Sequence, residues 1–319
     1  MKQAMPDDLW RDFPKTATEF EARFATEEDC RAYWIEARWG GTPSCARCAS
    51  TRVWTIREGT TFECADCGHQ TSLTSGTLLE KTRKPFKMWF RAVFEISTRR
   101  TGISAKDLQR IMGFGSYKTA WSWLHKLRAA MVRPDREPLR PFVQADETLV
   151  GGKGSPHKEL VLVAAEADGR VRLAHADNND EGTLKSFADG QIAADAQVVT
   201  DGLASYNSES LGERPHQAVI QSKQQRRESD ALQGCHWTTS LLKRWLLGTH
   251  AGAVKPKHLQ AYLDEFAFRH NRRKTNGVGR IAAPAIEKLV ARGPLPMRKI
   301  IDESTRCRWF TSAQHAAPT

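Results

Sequence analysis

The sequence predicts an α/β protein in which a mixed-sheet domain follows two smaller N-terminal modules. Three observations point there. Residues 45–67 gather four of the seven cysteines into two C-x2-C pairs. Residues 85–131 carry apolar side chains at helical spacing, interrupted by Gly113-Phe114-Gly115. From residue 142 the grain changes to short β-rich runs separated by turn residues, then helix, strand and helices. A length of 319 residues also favours two or three domains over one core.

Composition narrows the class. A chain 40% hydrophobic and 27% charged is that of a soluble globular protein. It has no run of 18 apolar residues, so no membrane span is expected. The opening MKQAMPDDLWRDF lacks the apolar core of a signal peptide, so a cytoplasmic protein is expected. In that reducing compartment cysteines are not expected to pair. Cys30, Cys235 and Cys307 are scattered and read as small packing or surface residues. The formal net charge of +11 favours a polyanionic partner, because neutralising phosphates releases condensed counterions.

The elements follow in order. Residues 1–40 form an N-terminal helical segment whose clearest part is 26–39. Thr26 can cap it, Glu27, Glu28 and Asp29 suit its positive end, and Cys30, Tyr33, Trp34 and Ala37 repeat on one face. Gly40-Gly41 ends it. The cysteine module spans 41–77, with β-type residues 53–56 between the pairs. A helix over 85–98 begins at proline and buries Phe86, Trp89, Phe90, Val93 and Phe94. Ser104 caps a short helix to Met112, and Ser116 caps a longer one to about Met131. Two helices joined by a glycine-containing turn are the helix-turn-helix pattern, assigned to 84–132. RPDREPLRP (133–141), with three prolines and five charges, reads as a linker.

The third domain is expected over 142–290. "FVQADETLVGG", "ELVLVAAEA" and "RVRLAHA" read as a three-stranded meander. A helix near 181–194, the strand AQVVT, the run HQAVIQ and helices from about 237 and at 257–270 complete a mixed sheet. Residues 291–319 form a tail without a reading.

Four constellations carry chemistry. Cys45, Cys48, Cys64 and Cys67, with fifteen residues between the pairs, have the spacing of a zinc ribbon; four thiolates close the coordination sphere, so the Zn²⁺ is structural. In the helix-turn-helix, Lys106, Arg110, Tyr117, Lys118 and Lys126 are candidate solvent-facing DNA contacts. Asp146 lies within the first β-run and Asp201 at the carboxyl end of AQVVT, where open α/β sheets bind ligands. Two adjacent carboxylates suit hard divalent cations such as Mg²⁺. Finally, GCHWTTSLLKRW (234–245) reads as helix and sets His236 and Lys243 seven apart, two turns on one face.

An aspartate on the first strand, another after the fourth and a third metal-site residue on a later helix form the order of an RNase H-like catalytic domain. CARC…CADC, WSWLHKLRAAM, QADETLVGGK, VVTDGLASY, LLKRWLLGTHAGAV and KHLQAYLDEFAFRHNRR extend the likeness over roughly residues 30–275. On these motifs the chain resembles bacterial insertion-sequence transposases, ISXO-like, in which a zinc ribbon and helix-turn-helix precede a DDE-type domain. The resemblance implies a catalytic set of Asp146, Asp201, His236 and Lys243, the histidine standing where most relatives have an acid. It also implies double-stranded DNA as partner (element ends and target), a nucleoid-associated bacterial protein, and at least a dimer on DNA.

Imidazole is a softer ligand than carboxylate and suits Mn²⁺ better than Mg²⁺. Rival third carboxylates are Glu228, Asp230, Asp264 and Glu265; Glu147 should point to the opposite face of its strand. Gly151-Gly152-Lys153 lacks the spacing of a phosphate loop and reads as a hairpin turn. The basic runs 223–227 and 270–274, with Arg272 and Arg273, are candidate phosphate contacts. The expected activity is metal-dependent strand cleavage at terminal inverted repeats followed by 3′-OH strand transfer. Two other readings remain: a catalytically silent DNA-binding regulator, and a nuclease without strand transfer.

Overall fold

The computed structural model describes residues 13–132, 136–151, 158–166, 169–252, 254–274 and 277–302. Cys307, Gly152, Lys153, part of the expected linker and most of the expected tail lie outside them. The described residues divide into two units, those of 13–131 with 277–302, and those of 132–274.

The first unit opens with α1 (Ala17–Arg23) and α2 (Glu27–Trp39). Thr26 and Asp29 form a reciprocal capping box at the start of α2, and Gly40 ends it in the left-handed conformation at φ 61°. Three short antiparallel strands follow, β1 (Val53–Ile56), β2 (Thr61–Cys64) and β3 (Gln70–Ser72). Next come α3 (Phe86–Thr98), α4 (Ala105–Met112) and α5 (Tyr117–Met131). Gly113, at φ 63°, caps α4 and lets the chain turn into α5. Aromatic packing dominates the interior: Trp89 of α3 stacks on Trp123 of α5 with ring centroids 3.4 Å apart, and Tyr33 meets Phe24 and Phe90 edge-on.

The second unit is a five-stranded mixed sheet. β4 (Phe142–Val150), β5 (Glu159–Glu166) and β6 (Val171–Ala176) form an antiparallel meander. After α6 (Glu181–Gln191), β7 (Gln197–Thr200) lies parallel to β4; after α7 (Ser208–Leu211), β8 (His216–Ala218) lies parallel to β7. The sheet order is β6-β5-β4-β7-β8. α8 (Lys223–Glu228), α9 (Gln233–His250), a short 3₁₀ turn and α10 (Leu259–Asn271) complete the unit. One face of the sheet packs Val143, Ala145, Leu162 and Ala164 against Leu184 and Phe187 of α6 and against Tyr206. The other packs Val161, Val163 and Leu173 against Cys235, Leu242 and Trp245 of α9 and Leu263 and Phe266 of α10. Strand alternation therefore sends Gln144, Asp146 and Thr148 to the α9 face and Ala145 and Glu147 to the α6 face.

Two boundaries differ from expectation. α9 begins at Gln233, ahead of the start near 237 and within one residue of the 234–245 stretch read as helix, so His236 lies in its first turn. The last helix pair, α11 (Gly279–Ala291) and α12 (Met297–Asp302), clusters with the first unit, not with the sheet domain expected to run to residue 290. The reason is packing: α11 buries Ala282, Ala283, Ile286 and Leu289 and contacts α2, α3 and α5. Among the described residues no helix is long and apolar enough to cross a membrane.

Candidate functional site

The parallel pairing of β4 with β7 sets Gln144 opposite Val199. Two residues beyond that pair lie Asp146, still on β4, and Asp201, just past the end of β7. Both line a cleft of about 350 Å³, together with Glu147, Gln221, Arg226, His236, Thr239 and Lys243 among others. His236, Thr239 and Lys243 lie three to four residues apart, on one face of α9.

α9 is seated on the sheet by a contact from β4. Gln144 Oε1 accepts the backbone N–H of Gly234 at 2.8 Å and of Cys235 at 3.4 Å, capping a helix whose own Leu232 supplies no side-chain cap. The Cys235 thiol is buried and directed at the Gln144 carbonyl, 3.3 Å away; burial pushes its pKa well up, so it acts as a packing group. A side chain at Gly234 would place Cβ 2.8 Å from Gln144 Oε1 and 3.3 Å from Ala165 Cβ. Gly234→Ala regains about 1 kcal/mol of helix propensity. Overpacking against β5 and the displaced cap cost about 1–3 kcal/mol. Urea denaturation should therefore show a net loss near 1 kcal/mol; an unchanged or raised midpoint would mean that α9 has room to shift.

His236 Nε2 lies 3.5 Å from Asp146 Oδ2, and its Nδ1 lies 2.6 Å from Asp230 Oδ2. Burial raises the Asp146 carboxyl above its ordinary range; the Glu147 N–H donated to it and His236 oppose this, and the Asp201 charge adds to it. Glu147 is raised by burial and then by Asp146 and Asp201. Tyr206 O–H donates to Glu147 at 3.2 Å, and burial followed by that carboxylate drives the phenol pKa well above its usual value. Asp201 is exposed and accepts the Leu203 N–H at 3.1 Å.

Asp146, Asp201, His236 and Lys243 thus share a cleft. Of the rival acids, Asp230 contacts the histidine. Glu228, Asp264 and Glu265 do not line the cleft, and Glu265 is buried against Arg269 at 2.9 Å. Glu147 points to the α6 face as expected, yet it still lines the cleft because β7 ends at Thr200 and leaves this part of β4 open on that side. Arg273, exposed, bonds the carbonyls of Gly169 and His270, and Arg272 lies over the Phe268 ring. Arg226 from the other basic run lines the cleft.

In the first unit, Sγ atoms lie 3.6 Å apart for Cys45–Cys67 and 3.5 Å apart for Cys48–Cys64, and all four lie within 4.8 Å of one another. Tetrahedral thiolates about 2.3 Å from one zinc ion sit roughly 3.8 Å apart, so the donor set fits. The backbone N–H of Cys48 holds the Cys45 thiol below its ordinary value. Among the described residues this is the one such group so tightly gathered. On α4 and α5, Lys106, Arg110, Tyr117 and Lys118 are exposed. Lys126, expected to face solvent, is instead partly buried with Nζ 5.8 Å from the Trp89 ring centre, and burial lowers its pKa.

A four-thiol group thus precedes a mixed-sheet unit whose cleft gathers two aspartates, a histidine and a lysine. Both parts match known families. The ISXO2-like transposase domain matches residues 138–271, and the transposase zinc-ribbon domain matches residues 25–70. The chain belongs to the insertion-sequence transposases of this ISXO2-like family, with an N-terminal zinc ribbon. No curated protein matches it.

Proposed function

We propose that this transposase cuts DNA at the ends of its element and joins the freed 3′-OH to target DNA, using the cleft between β4, β7 and α9. The observation that carries the reading is the gathering of Asp146, Asp201 and the α9 pair His236 and Lys243, from three distant places in the sequence, around one opening. The sheet order, three antiparallel strands followed by two parallel ones, supports an RNase H-like domain.

The donor set fits divalent ions. Asp146 Oδ2 and His236 Nε2, 3.5 Å apart, are near the roughly 3 Å separating adjacent ligands on one small ion. Asp146, Asp201 and His236 would hold Mg²⁺ or Mn²⁺, the imidazole favouring Mn²⁺. Bound there, the ions supply Lewis-acid activation of water, of the 3′-OH and of the scissile phosphate. Lys243 and Arg226, both exposed at the cleft, would neutralise phosphate and orient the strand. Lys106, Arg110, Tyr117 and Lys118 on the paired helices α4 and α5, with the zinc ribbon, would read the terminal repeats as a helix-turn-helix module does. Joining two ends requires at least two copies on DNA.

The test uses duplexes carrying the element's inverted repeats, incubated with the full chain and Mg²⁺ or Mn²⁺. Nicked strands ending in 3′-OH and joined products are expected. Nicks without joining would reduce the protein to a nuclease, and binding without nicks to a silent regulator.

A further inference from the structure

α9 does not present His236 unaided. Asp230 lies six residues upstream, in the turn leading into the helix, with Oδ2 2.6 Å from His236 Nδ1. Its other carboxylate oxygen accepts the Leu232 N–H at 3.0 Å, and its carbonyl accepts the Gln233 N–H at 3.2 Å. Asp230 is therefore fixed by the backbone of its own turn, and the helix after it is fixed to β4 by Gln144. Two bare acceptors cannot sit 2.6 Å apart, so a proton lies between carboxylate and Nδ1. The far nitrogen, Nε2, faces Asp146 Oδ2 at 3.5 Å across the cleft.

We propose that Asp230 is the positioning residue of this site: it accepts the Nδ1 proton of His236, turns the Nε2 lone pair toward Asp146 as a ligand atom, and returns the negative charge that a histidine in place of an acid removes. The inference rests on the reading of the cleft as a divalent-ion site. An imidazole without such a partner prefers its proton on Nε2, which would aim an N–H where a ligand lone pair is needed. A carboxylate on the non-ligating nitrogen sets the tautomer and raises ligand basicity, and losing it typically weakens metal affinity about 10–100-fold.

The tautomer can be read directly in zinc-loaded, full-length protein free of Mg²⁺ and Mn²⁺ and labelled with ¹⁵N-histidine, the His236 signals being identified by their loss in His236→Gln. The wild-type chain should show the Nδ1–H form. Asp230→Asn, whose amide can donate to Nδ1, should convert it to the Nε2–H form, and Asp230→Glu should restore Nδ1–H. Mn²⁺ titration followed by electron paramagnetic resonance should show affinity falling about 10–100-fold in Asp230→Asn and recovering in Asp230→Glu, with circular dichroism unchanged. Asp230→Asn that keeps both the Nδ1–H form and wild-type Mn²⁺ affinity overturns the role given to Asp230. A wild-type chain that binds no Mn²⁺ overturns the ion site itself.

Discussion

Asp201→Asn is expected to abolish cleavage of end-containing DNA, by at least about a thousandfold, while leaving DNA binding intact. The substitution is isosteric and the residue exposed. The asparagine carbonyl can still accept the Leu203 N–H that the carboxylate accepts at 3.1 Å, so the turn after β7 should survive. What changes is charge. Asp201 shares the cleft with Asp146, and it is one of the groups whose charge lifts the Asp146 pKa. Removing one of two carboxylates from the proposed divalent-ion site should take away several kcal/mol of transition-state stabilisation, and each 1.36 kcal/mol is a factor of ten in rate. DNA binding should hold, because the variant gains one unit of positive charge on a chain already at +11. Gel-shift affinity within about twofold of wild type, together with no nicked strand, is the expected pair of results. Cleavage within tenfold of wild type would remove Asp201 from the reaction.

How far the sequence anticipates this site depends on whether local pattern or distant contact decides each feature. α2, α3 and α4 have local signals, namely Thr26 with Asp29, Pro85, and Ser104 with Gly113, and their boundaries appear where those signals stand. α9 does not. Gly234 disfavours helix locally, yet the helix starts at Gln233, one residue before the 234–245 stretch read as helix, and Gln144, ninety residues away, caps it. The Gln144–Asp146 spacing, two residues on one strand face, was the available hint. Alternation along β4 assigns Glu147 to the correct face, but the rule is blind to where the neighbouring strand stops, and that decides which side chains line the opening. Among the rival acids, the sequence gives no sign that Asp230 faces the histidine rather than the cleft, since the turn before α9 sets its direction. α11 carries an apolar helical face, yet nothing in its residues says which unit it covers. Lys126 fails for a similar reason: a long alkyl stem can lie along Trp89, and helical spacing alone does not show it.

Removing zinc should unfold the ribbon, and this can be separated from every effect on the cleft. β1, β2 and β3 are only 4, 4 and 3 residues long, and within them Phe62 and Cys64 are the buried apolar side chains. So little buried surface cannot offset the entropy of ordering the segment. A structural zinc site contributes about 10–16 kcal/mol of apparent binding free energy, so the metal supplies most of what holds the fold. Cys64 is the telling ligand: it is 1% exposed, sits at the end of β2 opposite Val53, and its Sγ lies 3.5 Å from that of Cys48. Cys64→Ser should release the zinc, expose residues 45–72 to proteolysis and weaken recognition of element ends. Cys30→Ser is the control. That thiol is fully buried in α2, burial raises its pKa to about 12, and it lies outside the four-thiol group, so zinc content should stay at the wild-type value. Colorimetric zinc release with limited proteolysis reads both variants. A Cys64→Ser chain that retains zinc, or a ribbon that resists protease after the metal is stripped, would show that the strands fold without it.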